Sequence, residues 1–250
     1  MPWTDLLAAV IAALLVTQLA IAVTTVWLHR ALSHKALTVS PVVVLPFRFV
    51  VWVTSGMRPR EWVAVHRRHH ASTDMPEDPH SPAQVGFWRV QLGNVGLYRT
   101  SAKDPETMKY ARDLPADRLD RIAFDHAFLG LGVGITILVV GMYALGFPVW
   151  VGFLAAGIHA GTYVMLSGAI NAVGHKYGEQ PYENSATNGQ VLALVTGGEG
   201  LHNNHHAAPT SAKFALNKGE IDPGWFAVKV LVWLHLAKVR HAEVKLKAAA

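Results

Sequence analysis

The stretch LLAAVIAALLVTQLAIAVTTVWLHRALSH, residues 6–34, joins a long apolar run directly to two histidines. Residues 6–28 carry no charged side chain, and about 20 apolar residues are enough for a helix to cross a bilayer. No Lys or Arg precedes the run, and it is longer than the apolar region of a secretory signal. We therefore expect a membrane span that ends at the first histidine, His29.

The composition also indicates a membrane protein. Hydrophobic residues make up 51% of the 250 residues and charged residues 16%, below the roughly 25% charged residues of soluble domains. The net charge is +5, but the cations are scattered and no basic helix or stacking motif accompanies them, so we expect no nucleic-acid partner. Cysteine is absent, so a metal site would use His, Asp, Glu or Asn.

Two further apolar segments, residues 127–145 and 147–170, are separated by a Gly-Phe-Pro turn and predict a helical hairpin of two spans. Residues 39–56 are also apolar but contain two prolines and Arg48, and an arginine is costly in the middle of a span. We expect this segment to be re-entrant or interfacial, with a fourth span as the alternative.

The charges of the loops predict the orientation. The loop between the first span and the hairpin carries eleven Lys and Arg residues within positions 58–121, and such loops face the cytoplasm. The N-terminus is then expected outside. The sequence predicts an all-α integral membrane protein of three to four membrane segments, with a cytoplasmic helical cap. Because no internal repeat or low-complexity linker interrupts it, residues 1–250 are expected to form a single domain.

Eight of the 14 histidines lie in three compact boxes. Two boxes share the pattern H-x-x-H-H, which places three imidazoles on one face of a helix. The first box has a spacing of five, which fits a helix that is ending. Eight imidazoles are more than the four ligands of one tetrahedral metal site, so we expect two metal ions. Imidazole suits Zn, Cu, Fe and Ni, so ligand type does not select the metal. The boxes are His29 and His34; His66, His69 and His70; and His202, His205 and His206.

Around these boxes the chain resembles the membrane-bound fatty acid desaturase family, most closely its acyl-CoA desaturase branch. The resemblance runs from about residue 29 to residue 240. It includes the three boxes, the stretch EDPHSP at residues 77–82, and NAVGH at residues 171–175. It continues through Tyr-Gly at 177–178, Pro-Tyr at 181–182, Gly-Glu-Gly at 198–200 and Asp-Pro-Gly-Trp at 222–225.

The resemblance implies a centre of two iron ions that activates O2 and removes two hydrogens from an acyl chain. It adds His175 as a ninth ligand, and Asn171 as a contact through water. One iron is expected on His29, His34, His66, His70 and His205, and the other on His69, His175, His202 and His206.

Other residues are candidates for supporting roles. Asp78, Glu199 and Asn204 are candidates to hydrogen bond the imidazoles and fix their tautomers, and Trp62 is a candidate substrate contact. At two places the chain differs from the family's pattern, and both differences weaken the expectation that it recognises CoA as the animal enzymes do. Ala64 and Val65 stand where animal acyl-CoA desaturases have an Arg-Asp pair that contacts the CoA headgroup, and Gly168 stands where the family has a tryptophan.

The predicted function is an oxidoreductase that acts on paired donors and reduces O2 to water, as a fatty acid desaturase. Its expected partners are membrane lipid, an acyl substrate on CoA, a carrier protein or a phospholipid, and an external electron donor such as a ferredoxin or a reductase. A lipid hydroxylase with the same site is the close alternative. A His-rich metal transporter is a distant one, because its ligands would line the spans.

Overall fold

The computed structural model describes residues 2–242. It is about 66% helical, which confirms the all-α class. Three helices are long and apolar enough to cross a membrane. The first runs from Trp3 to Ser33, as helix α1 (Trp3–Val23) continued by a π-helical stretch (Thr24–Ser33). The other two are α7 (Ala127–Ala144) and α8 (Val149–Ala172). The first helix therefore continues beyond its predicted end at residue 28.

Small residues allow the membrane helices to pack closely. Ala9 and Ala13 of α1 are buried with Val151 and Ala155 of α8. Large side chains such as Leu15 instead point outward, as lipid-facing residues do. The α1–α8 contact thus resembles other close helix contacts in membranes.

Helix α2 (Pro41–Ser55) covers most of the segment predicted as re-entrant or interfacial. Its 15 residues are fewer than the roughly 20 that a span needs. Arg48 forms ion pairs with Asp117 and Asp120, with N–O distances of 2.7 and 2.5 Å, so its charge is compensated by the loop before α7. That α2 does not cross the membrane stays a prediction.

Helix α7 lies directly against α2 at Gly134. A Cβ at Gly134 would overlap the backbone carbonyl of Val53, whereas a Cβ at Gly132 would meet no atom within 4 Å. The absence of a side chain at Gly134 therefore permits the contact.

The remaining elements form a cap at one end of the spans. They are α3 (Pro59–Ala71), α4 (Pro82–Val85), α5 (Phe87–Ala102), α6 (Pro105–Met108), a 3₁₀ turn (Lys109–Ala111), a π-helical turn (Asp120–Phe124), α9 (Gln190–Val195), α10 (His202–Ala207) and α11 (Pro223–Trp233). Two short strands, β1 (Leu37–Val39) and β2 (Ala237–Val239), pair antiparallel. That residues 1–250 form a single domain stays a prediction.

Candidate metal centre

The first histidine box lies on the π-helical stretch. A π-helix bonds residue i to residue i+5, and the backbone N–H of His34 donates to the carbonyl of His29 at 3.1 Å. The two rings consequently lie close together, with centroids 4.9 Å apart. The helix ends at Ser33, directly before His34, as the spacing predicts for a helix that is ending, and its wider π-helical turn places both rings at one site.

The second and third boxes lie on α3 and α10, as the H-x-x-H-H pattern predicts. Helix α10 follows Gly197 and Gly198, which have φ angles of 65° and 96°. Glycine adopts such angles without strain, and here they turn the chain so that α10 begins at His202. The box on α10 then lies opposite the box on α3.

The structure brings all nine predicted histidines together in two groups. Within each group the ligand nitrogens lie within 4.8 Å of one another. The shortest contacts join Nε2 atoms, from 2.7 Å between His34 and His66 to 3.3 Å between His69 and His206. These groups have the same members as the two predicted sets; that they bind iron stays a prediction. One group is His29, His34, His66, His70 and His205, and the other is His69, His175, His202 and His206.

Burial favours the neutral form of seven of these rings. It lowers the pKa of His34 to about 3, with further lowering from Arg67 and Arg30. Burial and then the neighbouring imidazoles lower the pKa well below 6.5 for the rings of His66, His69, His70, His202, His205 and His206.

Three carboxylates fix the outer nitrogens of ligand rings. Glu199 lies 2.7 Å from His29 Nδ1, Asp78 lies 2.9 Å from His69 Nδ1, and Asp74 lies 2.9 Å from His175 Nδ1. A carboxylate on Nδ1 assigns the proton to that nitrogen and leaves the lone pair on Nε2. Histidines that hold metals commonly donate their other N–H in this way.

The donor set therefore fits metal ions. In the rings of His29, His69 and His175, whose Nδ1 carries the proton, Nε2 can only accept, and the Nε2 atoms of each group converge at about hydrogen-bond distance from one another. A cation at the centre of each group satisfies lone pairs that would otherwise repel. Glu199 and Asp78 lie where sequence reasoning placed them as supports.

The comparisons with known proteins agree with this geometry. The sequence model of the family described as fatty acid desaturase matches residues 4–218. The chain belongs to the fatty acid desaturase family. It is 33% identical over 226 residues to an acyl-CoA 5-desaturase of Anemone leveillei, covering 86% of this chain and 65% of that relative.

Two further relatives are named as lipid desaturases. The chain is 31% identical over 218 residues to an sn-1 stearoyl-lipid 9-desaturase of Synechocystis, covering 86% of this chain and 65% of that protein. It is 34% identical over 217 residues to an sn-2 palmitoyl-lipid 9-desaturase of Nostoc, covering 84% of this chain and 73% of that protein. The chain thus spans about two thirds of the length of these relatives.

In this desaturase family member, a buried ionic network supports the Glu199 side of the site. Arg30 is fully buried, donates to both oxygens of Asp222 at 2.8 and 3.0 Å, and lies 3.8 Å from Glu199. Its guanidinium stacks 3.7 Å from the centre of the Phe214 ring, and that ring packs against His205 with centroids 4.7 Å apart. Burial raises the pKa of Glu199 to about 7, against the effect of Arg30.

Sequence reasoning missed Asp74 and His80. Hydrogen bonds from His175, Ser185 and Ser81 outweigh burial and hold the pKa of Asp74 below its usual range. Its φ of 58° is uncommon outside glycine, although aspartate adopts such an angle more often than most residues do. The His80 ring lies 4.7 Å from that of His69, and its backbone N–H donates to Asp78.

The prediction that Asn204 supports a ligand ring is wrong. Its amide donates to Phe214 O at 2.8 Å and Glu220 Oε2 at 2.7 Å, and its oxygen accepts from Asn188 at 2.7 Å. These bonds brace α10 against the following loop, so the residue acts on the backbone of the third box.

A cavity of about 1050 Å³ reaches the histidines. Trp62 lines it and stacks on His66, with centroids 4.9 Å apart and an interplanar angle of 9°. Asn171 and His202 also line it, and charged residues such as Arg58 and Lys103 contribute to its wall. The cavity therefore connects polar groups of the cap with the site; the roles of Trp62 at the substrate and Asn171 at a metal-bound water stay predictions.

Proposed function

We propose that the protein is an O2-dependent fatty acid desaturase that introduces a double bond into an acyl chain with a His-ligated di-iron centre. The two groups of converging Nε2 atoms, each reached by carboxylate-bound rings, carry this proposal. Family membership supports the acyl substrate, and the cavity beside the rings offers space for it.

The chain's own residues would hold, orient and enclose the reactants. The five-histidine and four-histidine groups would each hold one iron, while Glu199, Asp78 and Asp74 hold the rings in position. Bound iron supplies the O2 activation that removes two hydrogens from unactivated methylenes, with electrons from an external donor such as a ferredoxin or a reductase. Trp62 would confine the chain beside His66, and the buried surroundings would exclude water from the site.

The site is proposed to face the cytoplasm, because the cap contains the cation-rich loop. The absence of cysteine makes a direct test simple. Lys109→Cys on the cap and Leu145→Cys at the hairpin tip each introduce one thiol at an exposed side chain. An impermeant maleimide should label the first only in inside-out vesicles and the second only in right-side-out vesicles. The reverse pattern would contradict this orientation.

Product analysis tests the activity. The purified protein, loaded with iron, is supplied with a ferredoxin, its reductase, O2 and deuterated octadecanoyl chains on CoA, acyl carrier protein or phosphatidylcholine. We expect products that have lost two hydrogen isotopes. A product that gained an oxygen atom would instead identify a hydroxylase. His241→Ala is the matched control and is expected to retain activity, because this exposed residue lies outside both groups and does not line the cavity.

A further inference from the structure

Two polar atoms of α5 are enclosed without partners. The side-chain oxygen of Asn94 and the hydroxyl of Tyr98 are buried and find no hydrogen-bond partner within residues 2–242. Both side chains line the cavity that reaches the histidines. They are one helical turn apart, at positions i and i+4, and so share a face. Buried polar groups in folded proteins nearly always have a partner, so we expect these two atoms to be satisfied by a group in the cavity, either water or part of a ligand.

The contact between α5 and α8 fixes the Asn94 amide. Its Nδ2 donates to Val164 O at 3.3 Å, and Gln91 Nε2, about one turn earlier, donates to Met165 O at 2.9 Å. A Cβ at Gly168 would overlap the backbone carbonyl of Gln91, so the helices approach this closely only because residue 168 is glycine. With its nitrogen engaged on α8, the amide offers its oxygen as an acceptor.

The Tyr98 hydroxyl supplies the complementary donor. Burial, and then the charge of Glu61, raises the pKa of the phenol, so the group keeps its proton. The cavity wall holds apolar residues such as Val95 and Leu131 together with the charged Arg58 and Glu61, and the pair adds one phenol donor and one amide acceptor.

The chemistry of the pair selects among groups on an acyl substrate. A methylene satisfies neither atom. An ester or thioester carbonyl accepts from Tyr98 but leaves Asn94 without a donor. A hydroxyl both accepts and donates, so of these three groups it is the one whose chemistry matches Tyr98 and Asn94 together. We propose that Asn94 and Tyr98 form a subsite for a hydroxyl group carried by the acyl chain, which fixes the position of that chain relative to the histidines. The inference rests on the proposed function only in taking an acyl chain as the ligand.

Binding measurements without an electron donor test the subsite. The probes are octadecanoyl chains with a hydroxyl near the carboxyl end, at mid-chain or near the methyl end, each as a CoA thioester and as a phosphatidylcholine, beside the unsubstituted chains. We expect at least one hydroxylated probe to bind roughly tenfold more tightly than its unsubstituted counterpart, because one hydrogen bond to an enclosed partner contributes about that factor.

Variants test whether the preference for a hydroxylated probe depends on Asn94 and Tyr98. Tyr98→Phe and Asn94→Leu should each remove most of it, whereas Tyr110→Phe should retain it because Tyr110 is exposed and does not line the cavity. The inference is overturned if no hydroxylated probe is preferred on either carrier, or if the preference survives both changes at the subsite. A protein that desaturates octadecanoyl chains without such a preference keeps the proposed function and loses this inference. A protein that prefers hydroxylated chains but forms no unsaturated product keeps this inference and loses the proposed function.

Discussion

Replacing Asp78 with asparagine should weaken one metal position and leave the other intact. The carboxylate lies 3.0 and 2.9 Å from the Nδ1 of His69 through its two oxygens, and it accepts from the backbone N–H groups of Asp74 at 2.8 Å and His80 at 3.0 Å. An amide of the same shape must place its NH2 against one of these backbone donors. The substitution thus leaves a buried N–H unpaired in either orientation.

The expected magnitude follows from the lost carboxylate. Loss of a carboxylate behind a ligand histidine lowers metal affinity about ten- to hundredfold, whereas the unpaired buried donor costs the folded protein about 1–3 kcal/mol with or without iron. Because Asp78 contacts only a ring of the four-histidine group, we expect one of two irons to leave at a chelator concentration lowered by that factor.

A chelator titration with metal analysis measures this effect. Glu77→Gln is the matched control, since the neighbouring side chain is exposed and makes no contact with a ligand ring among the described residues. The reasoning is refuted if Asp78→Asn retains both irons as firmly as the unmodified protein, or if both irons leave together.

Two further predictions concern stability, measured as thermal unfolding in detergent. Gly134→Ala should destabilise by about 1–3 kcal/mol through overpacking against α2, whereas Gly132→Ala on the same helix meets open space and should change little; equal effects would contradict the packing. Asp222→Asn should cost about 3–5 kcal/mol, because it removes the nearer of the two carboxylates that pair with the buried Arg30. Asp113→Asn breaks partly exposed pairs and should cost less than about 1 kcal/mol. An unchanged midpoint for Asp222→Asn would refute the role of this ion pair.

The sequence predicted the chemistry of the site better than its supports. Histidine spacing on α3 and α10 is a local pattern, so three imidazoles per helix could be predicted without the fold. The bond from Asp74 to His175 joins residues 101 positions apart, and no local pattern predicts a contact at that separation. The pairing of β1 with β2 was missed for a similar reason, because each strand has three residues and the partners are separated by nearly the whole chain.

The length of the first helix shows a different limit. Hydropathy predicts where an apolar run ends, and residues 29–33 include arginine, serine and histidine. Arg30 is nevertheless buried with Asp222 and Glu199 as partners, so the helix continues past its apolar part. Those partners lie in the last quarter of the chain, so the residues around Arg30 could not predict them.

Iron stoichiometry in group-specific variants tests the central claim most directly. The protein purified without oxygen and loaded with ferrous iron should bind two irons per chain, and His70→Ala and His175→Ala should each bind one, since they belong to different groups. His126→Ala should bind two. A single iron in the unmodified protein, or full occupancy in both ligand variants, would contradict a di-iron centre built from these two groups.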